Sequence, residues 1–446
     1  MNTRTSSSSL RAAAGAIELS IAPGLRLGGF GGRIEPQEGS LDALHVRVLM
    51  LQRGNVRVAW ASVDSLGFST ALDRAFRERV ADVAQLPASH VIVSCTHTHS
   101  APVTMPARGP SGVADVRWIH DEIINRTASL AADLFRKLQP VAEMRTGETV
   151  VRGLGYNRQD ADEPIDERLL VTALFAEGGR PIATFVNYAL HPVVIGARNL
   201  KCSADFPGYV CGDIESKLGG VALFINGSCG DVDPTIYRDV GRDAGTVEVI
   251  RKIGHTLGDA ALAALEHRDA HPTELAIETT RVTVPLDPPP PLEDVQKLHD
   301  EFKQQRGTEP IPSDGAARGA MYQLAWAEDL LCATRNGHVP STLTADMTAL
   351  RIGPVRVLTF PFEIYSRIGL ELRRQLAPQP VMLAAYTHGL IGYVATTKAK
   401  QQGGYGAGFS HRYFPELLTG IGIGADDELI NRGVQLTHAV DELTRH

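Results

Sequence analysis

The sequence predicts a mixed α/β protein, and three observations carry that reading. Apolar residues are 43% and charged residues 21% of a 446-residue chain, the balance of a globular protein and not of a disordered chain, a coiled coil or a fibre. Short apolar and β-branched runs alternate irregularly with segments of helical pattern, so both hairpins and crossovers are expected. No internal repeat and no sustained heptad breaks this alternation.

Residues 1–14 are rich in Ser and Ala and read as a flexible tail, leaving 15–446 as one large body. From Ile17 the pattern turns β-like. LHVRVLML (44–51), a turn at RGN (53–55) and VRVAWASV (56–63) read as a hairpin. A helix follows over 70–85, and HVIVSCTHTHS (90–100) is a buried strand running into polar residues. A second helix is expected over 120–137, then strands near 143–151, 168–176 and 181–188, the last two split by EGGR (177–180). VALFINGS (221–228) is a buried strand opening into a Gly-containing loop, and a helix covers 247–266. The proline run PLDPPPPLED (285–294) is a stiff spacer that opens a helical insertion at about 285–340. β-character returns at TALRIGPVRVLTFPFE (348–363), followed by helices over 364–376 and 427–446.

Lys plus Arg total 44 against 51 Asp plus Glu, a net charge of −7. That balance gives no global electrostatic case for gripping nucleic acid or an anionic membrane. The five cysteines (Cys95, Cys202, Cys211, Cys229, Cys332) contain no C-x-x-C pair and read as buried thiols, not as a disulfide framework. No apolar run reaches the roughly 18–20 residues of a spanning helix, and the first twenty residues lack the apolar stretch of a secretory signal. The expectation is a cytoplasmic protein without stable membrane insertion, acting on a small molecule.

Six places carry chemistry. In Thr96-His97-Thr98-His99, an extended backbone would point both imidazoles to one face, where two histidines begin a metal site, although His-x-His also occurs in ordinary loops. His191 follows the apolar strand IATFVNYAL, a position where a histidine is usually a satisfied loop residue. Asp205, before a probable helix start, is equally a ligand or a turn-capping carboxylate. The loop Asn226-Gly227-Ser228-Cys229-Gly230-Asp231-Val232-Asp233 follows a buried strand, and its backbone amides could face an oxyanion or simply form a tight turn. Glu363 ends the run VRVLTFPFE, where a carboxylate needs a cation or a metal. Tyr393 and Tyr405 flank a Gly/Gln-rich loop.

Taken in order, these elements resemble the neutral ceramidase family over residues 17–415. The family's Thr-His-Thr-His-Ser-Gly-Pro element stands as Thr96 to Pro102 with Ala101 in place of Gly, and its Asn-Arg element matches Asn157-Arg158. Its strand-end histidine matches His191, its Gly-Asp-Val element Gly230-Asp231-Val232, and its Pro-Gly-Glu element Pro361-Phe362-Glu363. Its tyrosine pair matches Tyr393 and Tyr405, around Thr396-Thr397. The resemblance implies a ceramidase-like catalytic domain with central mixed sheets flanked by helices. It further implies Zn²⁺ held by His97, His191, Glu363 and Tyr393, with His99, Arg158 and Tyr405 lining the reacting centre. Two imidazoles and one carboxylate would leave the zinc positively charged, able to acidify water and polarise an amide carbonyl.

Two departures shape the expectation. Gly227, and not Ser228, aligns with a serine of the family, and a one-residue slip on extended backbone changes face. The family's C-terminal immunoglobulin-like domain has no counterpart in the 427–446 tail. The expected function is therefore a zinc-dependent amidohydrolase acting on an N-acyl or cyclic amide smaller than ceramide. The rivals are an amidase using Ser228 as nucleophile and a non-catalytic zinc-binding module.

Overall fold

Strand structure begins earlier than the Ser/Ala-rich composition suggests. The computed structural model describes residues 9–108, 114–265, 267–270, 274–309, 312 and 314–444, with side chains for all but 267–270. β1 (Arg11–Glu18) pairs antiparallel with β2 (His45–Arg53) along its whole length. The expected flexible tail thus ends before Arg11; residues 1–8 lie outside the described part. The physical reason is close packing. The small side chains of AAAGA let β1 lie against neighbouring apolar side chains, and a Cβ on Gly15 would sit 3.1 Å from Leu130 Cδ1.

The predicted hairpin forms between β2 and β3 (Val56–Val63). Helix α1 (Thr70–Ala84), capped by the Ser69 hydroxyl, crosses to β4 (Val91–Cys95), which lies parallel to β3. A turn, α2 (Val116–Trp118), and a wider-wound segment lead into α3 (Arg126–Arg136), and β5 (Gln139–Pro140) completes the order β4-β3-β2-β1-β5.

β6 (Glu143–Val150) starts a second sheet, and β7 (Gly155–Asn157) leaves it. β8 (Arg168–Phe175) and β9 (Pro181–Tyr188) form the pair split by EGGR. Helix α4 (Asp205–Lys217) carries the chain to β10 (Val221–Asn226), parallel to β9. β11 (Val232–Pro234) pairs with β7; α5 (Thr235–Asp239), α6 (Val247–Ala264) and β12 (His267–Ala270) follow, giving the order β10-β9-β8-β6-β12.

The third sheet runs β13 (Leu275–Pro285), β14 (Thr342–Ile352), β15 (Val355–Thr359) and β17 (Val381–Ala384). Between β13 and β14, helices α7 (Leu292–Arg306) and α8 (Gly315–Arg335) pack on each other through a separate apolar cluster that includes Phe302 and Trp326. β16 (Glu363–Ile364) pairs in parallel with β18 (Tyr393–Val394), with α9 (Ser366–Leu376) between them. α10 (Thr397–Gln402) and α11 (Ala425–Glu442) close the chain. Among the described residues no helix is long and apolar enough to cross a membrane.

All three sheets contribute to one buried cluster, with Trp60 of β3, Phe185 of β9 and Met382 of β17 as members. Trp60 and Phe185 meet edge to face at 5.4 Å. This arrangement brings the segments after β4, β9, β10 and β15 to one place. These four strands bear the sequence motifs at their carboxyl ends, where α/β sheets hold their sites.

One buried histidine outside that place makes the fold sensitive to acid. His388 is 4% exposed, its Nε2 lies 2.9 Å from Thr348 Oγ1, and burial, with Arg77 nearby, lowers its pKa to about 3. Its folded pKa is depressed, so its stabilising share is complete above the unfolded value near 6.5 and is lost as pH falls through 3. Each pKa unit corresponds to about 1.4 kcal/mol. We expect the melting temperature to fall across pH 6.5–3 and His388→Asn, which tolerates the left-handed φ of 66°, to flatten that slope. An identical slope in the variant would refute this role.

Candidate metal centre and active site

β4 ends at Cys95, and the backbone turns immediately. His97 has φ 70°, so the two histidines do not converge by strand alternation as the sequence suggests. They converge because the left-handed residue folds the chain back: His99 Nε2 lies 3.3 Å from His97 Nε2, the rings nearly perpendicular. His191 follows β9, and its Nε2 lies 3.2 Å from His97 Nε2. Among the described residues, the ligand atoms of His97, His99 and His191 lie within 4.8 Å of one another, a group able to hold a metal ion.

Glu363 is delivered by β16. Its Oε2 is 3.4 Å from His97 Nε2 and 3.3 Å from His191 Nε2. The parallel β16–β18 pairing sets Tyr393 directly beside Glu363.

The protonation pattern follows from the carbonyls behind the rings. His97 Nδ1 donates to Leu66 O and His191 Nδ1 to Cys229 O, each at 2.7 Å. With Nδ1 protonated, each neutral ring turns an Nε2 lone pair inward. Tyr386 stacks on His97 at 3.8 Å and fixes the plane of that ring. Two imidazole lone pairs therefore face a carboxylate oxygen that is buried and accepts no hydrogen bond. Acceptors packed this closely without a donor repel, and a divalent cation among them removes the conflict. Nitrogen and oxygen donors of this kind suit zinc.

Arg158 follows β7. Its guanidinium donates to Tyr393 Oη (3.2 Å), Gly230 O (2.8 Å) and Asp233 Oδ1 (3.0 Å), which aims it at the centre. Tyr405 packs edge-on against Tyr393 at 5.6 Å, and its phenol, 42% exposed, is a donor at neutral pH. All seven residues predicted from the sequence gather here. Six of them line a cavity of about 710 Å³, with His191 just beneath its wall, within the ordinary size of a small-molecule site.

The structure also places three features whose roles the sequence left open. The loop after β10 offers no oxyanion cradle at its glycines: Gly227 N donates to Tyr188 O, Gly230 N to Ile364 O and Val232 N to Cys229 O. Asp231 instead clamps the start of α9, accepting from Ser366 N and Oγ and from Asn157 Nδ2. Asp205 opens α4, accepts from Phe206 N and does not line the cavity; burial pushes its carboxyl up to about 7. Ser228 is 1% exposed and absent from the cavity wall, and a Cβ built on Gly369 would lie 2.0 Å from its hydroxyl.

Sequence reasoning passed over the run Gly28-Gly29-Phe30-Gly31-Gly32, which forms one wall of the cavity. Gly29 has φ +98°, and a Cβ there would lie 2.4 Å from His99 Nδ1. The glycine lets backbone approach the imidazole, a use of dense glycine readable in the sequence. Arg33, buried, ties this wall down through bonds to Gly28 O and His99 O.

No protein-family model and no curated protein matches the chain. Among solved structures, the neutral ceramidase from Pseudomonas aeruginosa is similar at TM-score 0.70 and 17% identity, covering 98% of this chain and 75% of that one. A ceramidase complexed with C2 is similar at TM-score 0.70 and 16% identity, covering 98% and 76%. The chain therefore has the neutral ceramidase fold, a mixed α/β architecture of several sheets flanked by helices.

Proposed function

We propose that this chain, built on the neutral ceramidase fold, is a zinc-dependent amidohydrolase that cleaves the carbon–nitrogen bond of an N-acyl or cyclic amide smaller than ceramide. The observation that carries the reading is the donorless convergence of His97 Nε2, His191 Nε2 and Glu363 Oε2 on the floor of a cavity. His97, His191, Glu363 and Tyr393 would hold the zinc, which when bound acidifies water and polarises an amide carbonyl.

The chain's own groups supply the rest. His99, against the ligand imidazoles, takes a proton from the attacking water and passes one to the departing amine nitrogen. Arg158 holds the Tyr393 hydroxyl and lends positive charge where the carbonyl oxygen becomes an oxyanion. Tyr405 donates its phenolic proton to that oxygen, a contribution worth roughly 10²–10³ in rate. Tyr405 sits in the Gly-rich stretch after α10, where Gly403 and Gly404 have φ of 75° and 95°; this stretch would close over a bound substrate. Five free thiols, four of them buried, favour a reducing, cytoplasmic setting.

The test is metal analysis of the purified protein together with a screen over N-acyl amides of different chain length. One zinc per chain, activity abolished by chelation and restored by zinc, and turnover of short amides are expected. A metal-free active protein, or efficient ceramide cleavage in micelles with no turnover of short or cyclic amides, would contradict the proposal. Ser228→Ala should lower kcat less than tenfold, about 1.4 kcal/mol of barrier, because its hydroxyl points at Gly369. A fall beyond about 10³-fold with zinc retained, or an acyl group trapped on Ser228, would restore the serine-nucleophile alternative.

A further inference from the structure

At the cavity mouth a second guanidinium stands one carboxylate away from Arg158. Arg242 Nη2 lies 3.3 Å from Asp233 Oδ2, while Arg158 Nη1 holds Oδ1 of the same carboxylate at 3.0 Å. Asp233 is buried, but the Arg242 side chain is 68% exposed and lines the cavity. Of the other acidic groups nearby, Asp243 faces Arg198 and Asp239 faces Arg238, Glu363 belongs to the proposed metal set, and Asp205 is buried outside the cavity with its carboxyl pushed up to about 7. One carboxylate shared by two guanidiniums leaves one positive charge unmatched, and it faces the substrate.

This charge is held in place. Tyr237 lies under the Arg242 guanidinium at 5.6 Å, and its own hydroxyl is bonded to Val193 O. The loop bearing Arg242 is pressed against the segment after His191. A Cβ on Gly196 would lie 2.4 Å from Arg242 O, and one on Gly245 would lie 1.5 Å from Val194 O. Backbone approaching backbone this closely fixes Arg242 relative to the metal-ligand segment, unlike an arginine on a free surface loop.

We propose that Arg242 is a specificity residue that binds a carboxylate on the substrate, so that the preferred substrates are amides carrying a carboxylate within a few bonds of the scissile bond, as in N-acyl amino acids. The inference rests on the amidohydrolase reading and names its substrate class. One unmatched positive charge suits a monoanion, and the planar guanidinium suits a carboxylate. Water's oxygen goes to the acyl carbon and the amine leaves with the proton, so the substrate carboxylate is unchanged and serves only as a handle.

The test uses zinc-loaded full-length protein with N-benzoylglycine and its neutral counterpart N-benzoylglycinamide, following benzoate release and, separately, calorimetric binding. The wild type should favour the carboxylate, chiefly through KM. In Arg242→Gln the carboxylate-to-carboxamide ratio of kcat/KM should fall by roughly two- to fivefold, the size of one partly exposed ion pair, and Arg242→Lys should recover part of it. Selective binding of the carboxylate, lost in Arg242→Gln but with neither compound cleaved, supports the anion site and overturns the hydrolase reading. Cleavage of both compounds with a ratio near one that the variant does not move overturns the anion site and leaves the hydrolase standing. Absence of both binding and cleavage overturns both.

Discussion

His191→Ala is expected to abolish turnover and metal binding together. The imidazole is fully buried, and its Nδ1–H is anchored to Cys229 O, which fixes Nε2 toward the centre. Its loss would leave His97, Glu363 and Tyr393 as an incomplete ligand set on the cavity floor. Structural perturbation should be small, because the ring sits in a rigid frame between β9 and β11. Metal content, turnover and a melting curve measured on one preparation decide the matter. Zinc at one per chain in a folded His191→Ala variant, or activity within a few fold of wild type, would overturn the ligand assignment.

His99→Ala should separate the two properties. We expect zinc to be retained while rate falls roughly 10²–10⁴-fold, the usual share of a general acid–base group. The geometry makes this a sharp test. His99 Nε2 is only 3.3 Å from His97 Nε2, close enough for His99 to be a ligand itself, yet its Nδ1 lacks the carbonyl anchor that orients His97 and His191. A ring without that anchor is free to change tautomer and shuttle a proton, which suits a base better than a ligand. Loss of zinc together with activity would make His99 a third histidine ligand, and full activity would remove it from the chemistry.

Much of this site was legible because its residues sit at the ends of apolar strands, where a polar side chain stands out. His191 and Glu363 each close such a run, and the structure brings both to the centre. The convergence of His97 with His99 was anticipated for a mistaken reason: strand alternation was assumed, whereas a left-handed residue does the turning. A positive φ at histidine leaves no mark in sequence. β1 was hidden because alanine and glycine carry little strand signal by themselves, and only close packing against apolar side chains explains them. Arg242 escaped notice because an arginine in a polar loop looks like any solvated charge until Asp233 and Tyr237 are seen beneath it.

The metal group draws on strand ends of different sheets, with His97 and His191 already 94 positions apart in the chain. No local fragment can assemble it, so an ion held there binds the folded chain and has little affinity for the unfolded one. Thermodynamic linkage then makes the ion a clasp for the whole tertiary structure: at a free concentration a thousand times its dissociation constant, it deepens the folded state by about 4 kcal/mol. Metal supply would thus set how long the protein survives in the cell as well as how fast it works, and starvation for the ion would be felt first as loss of the protein itself.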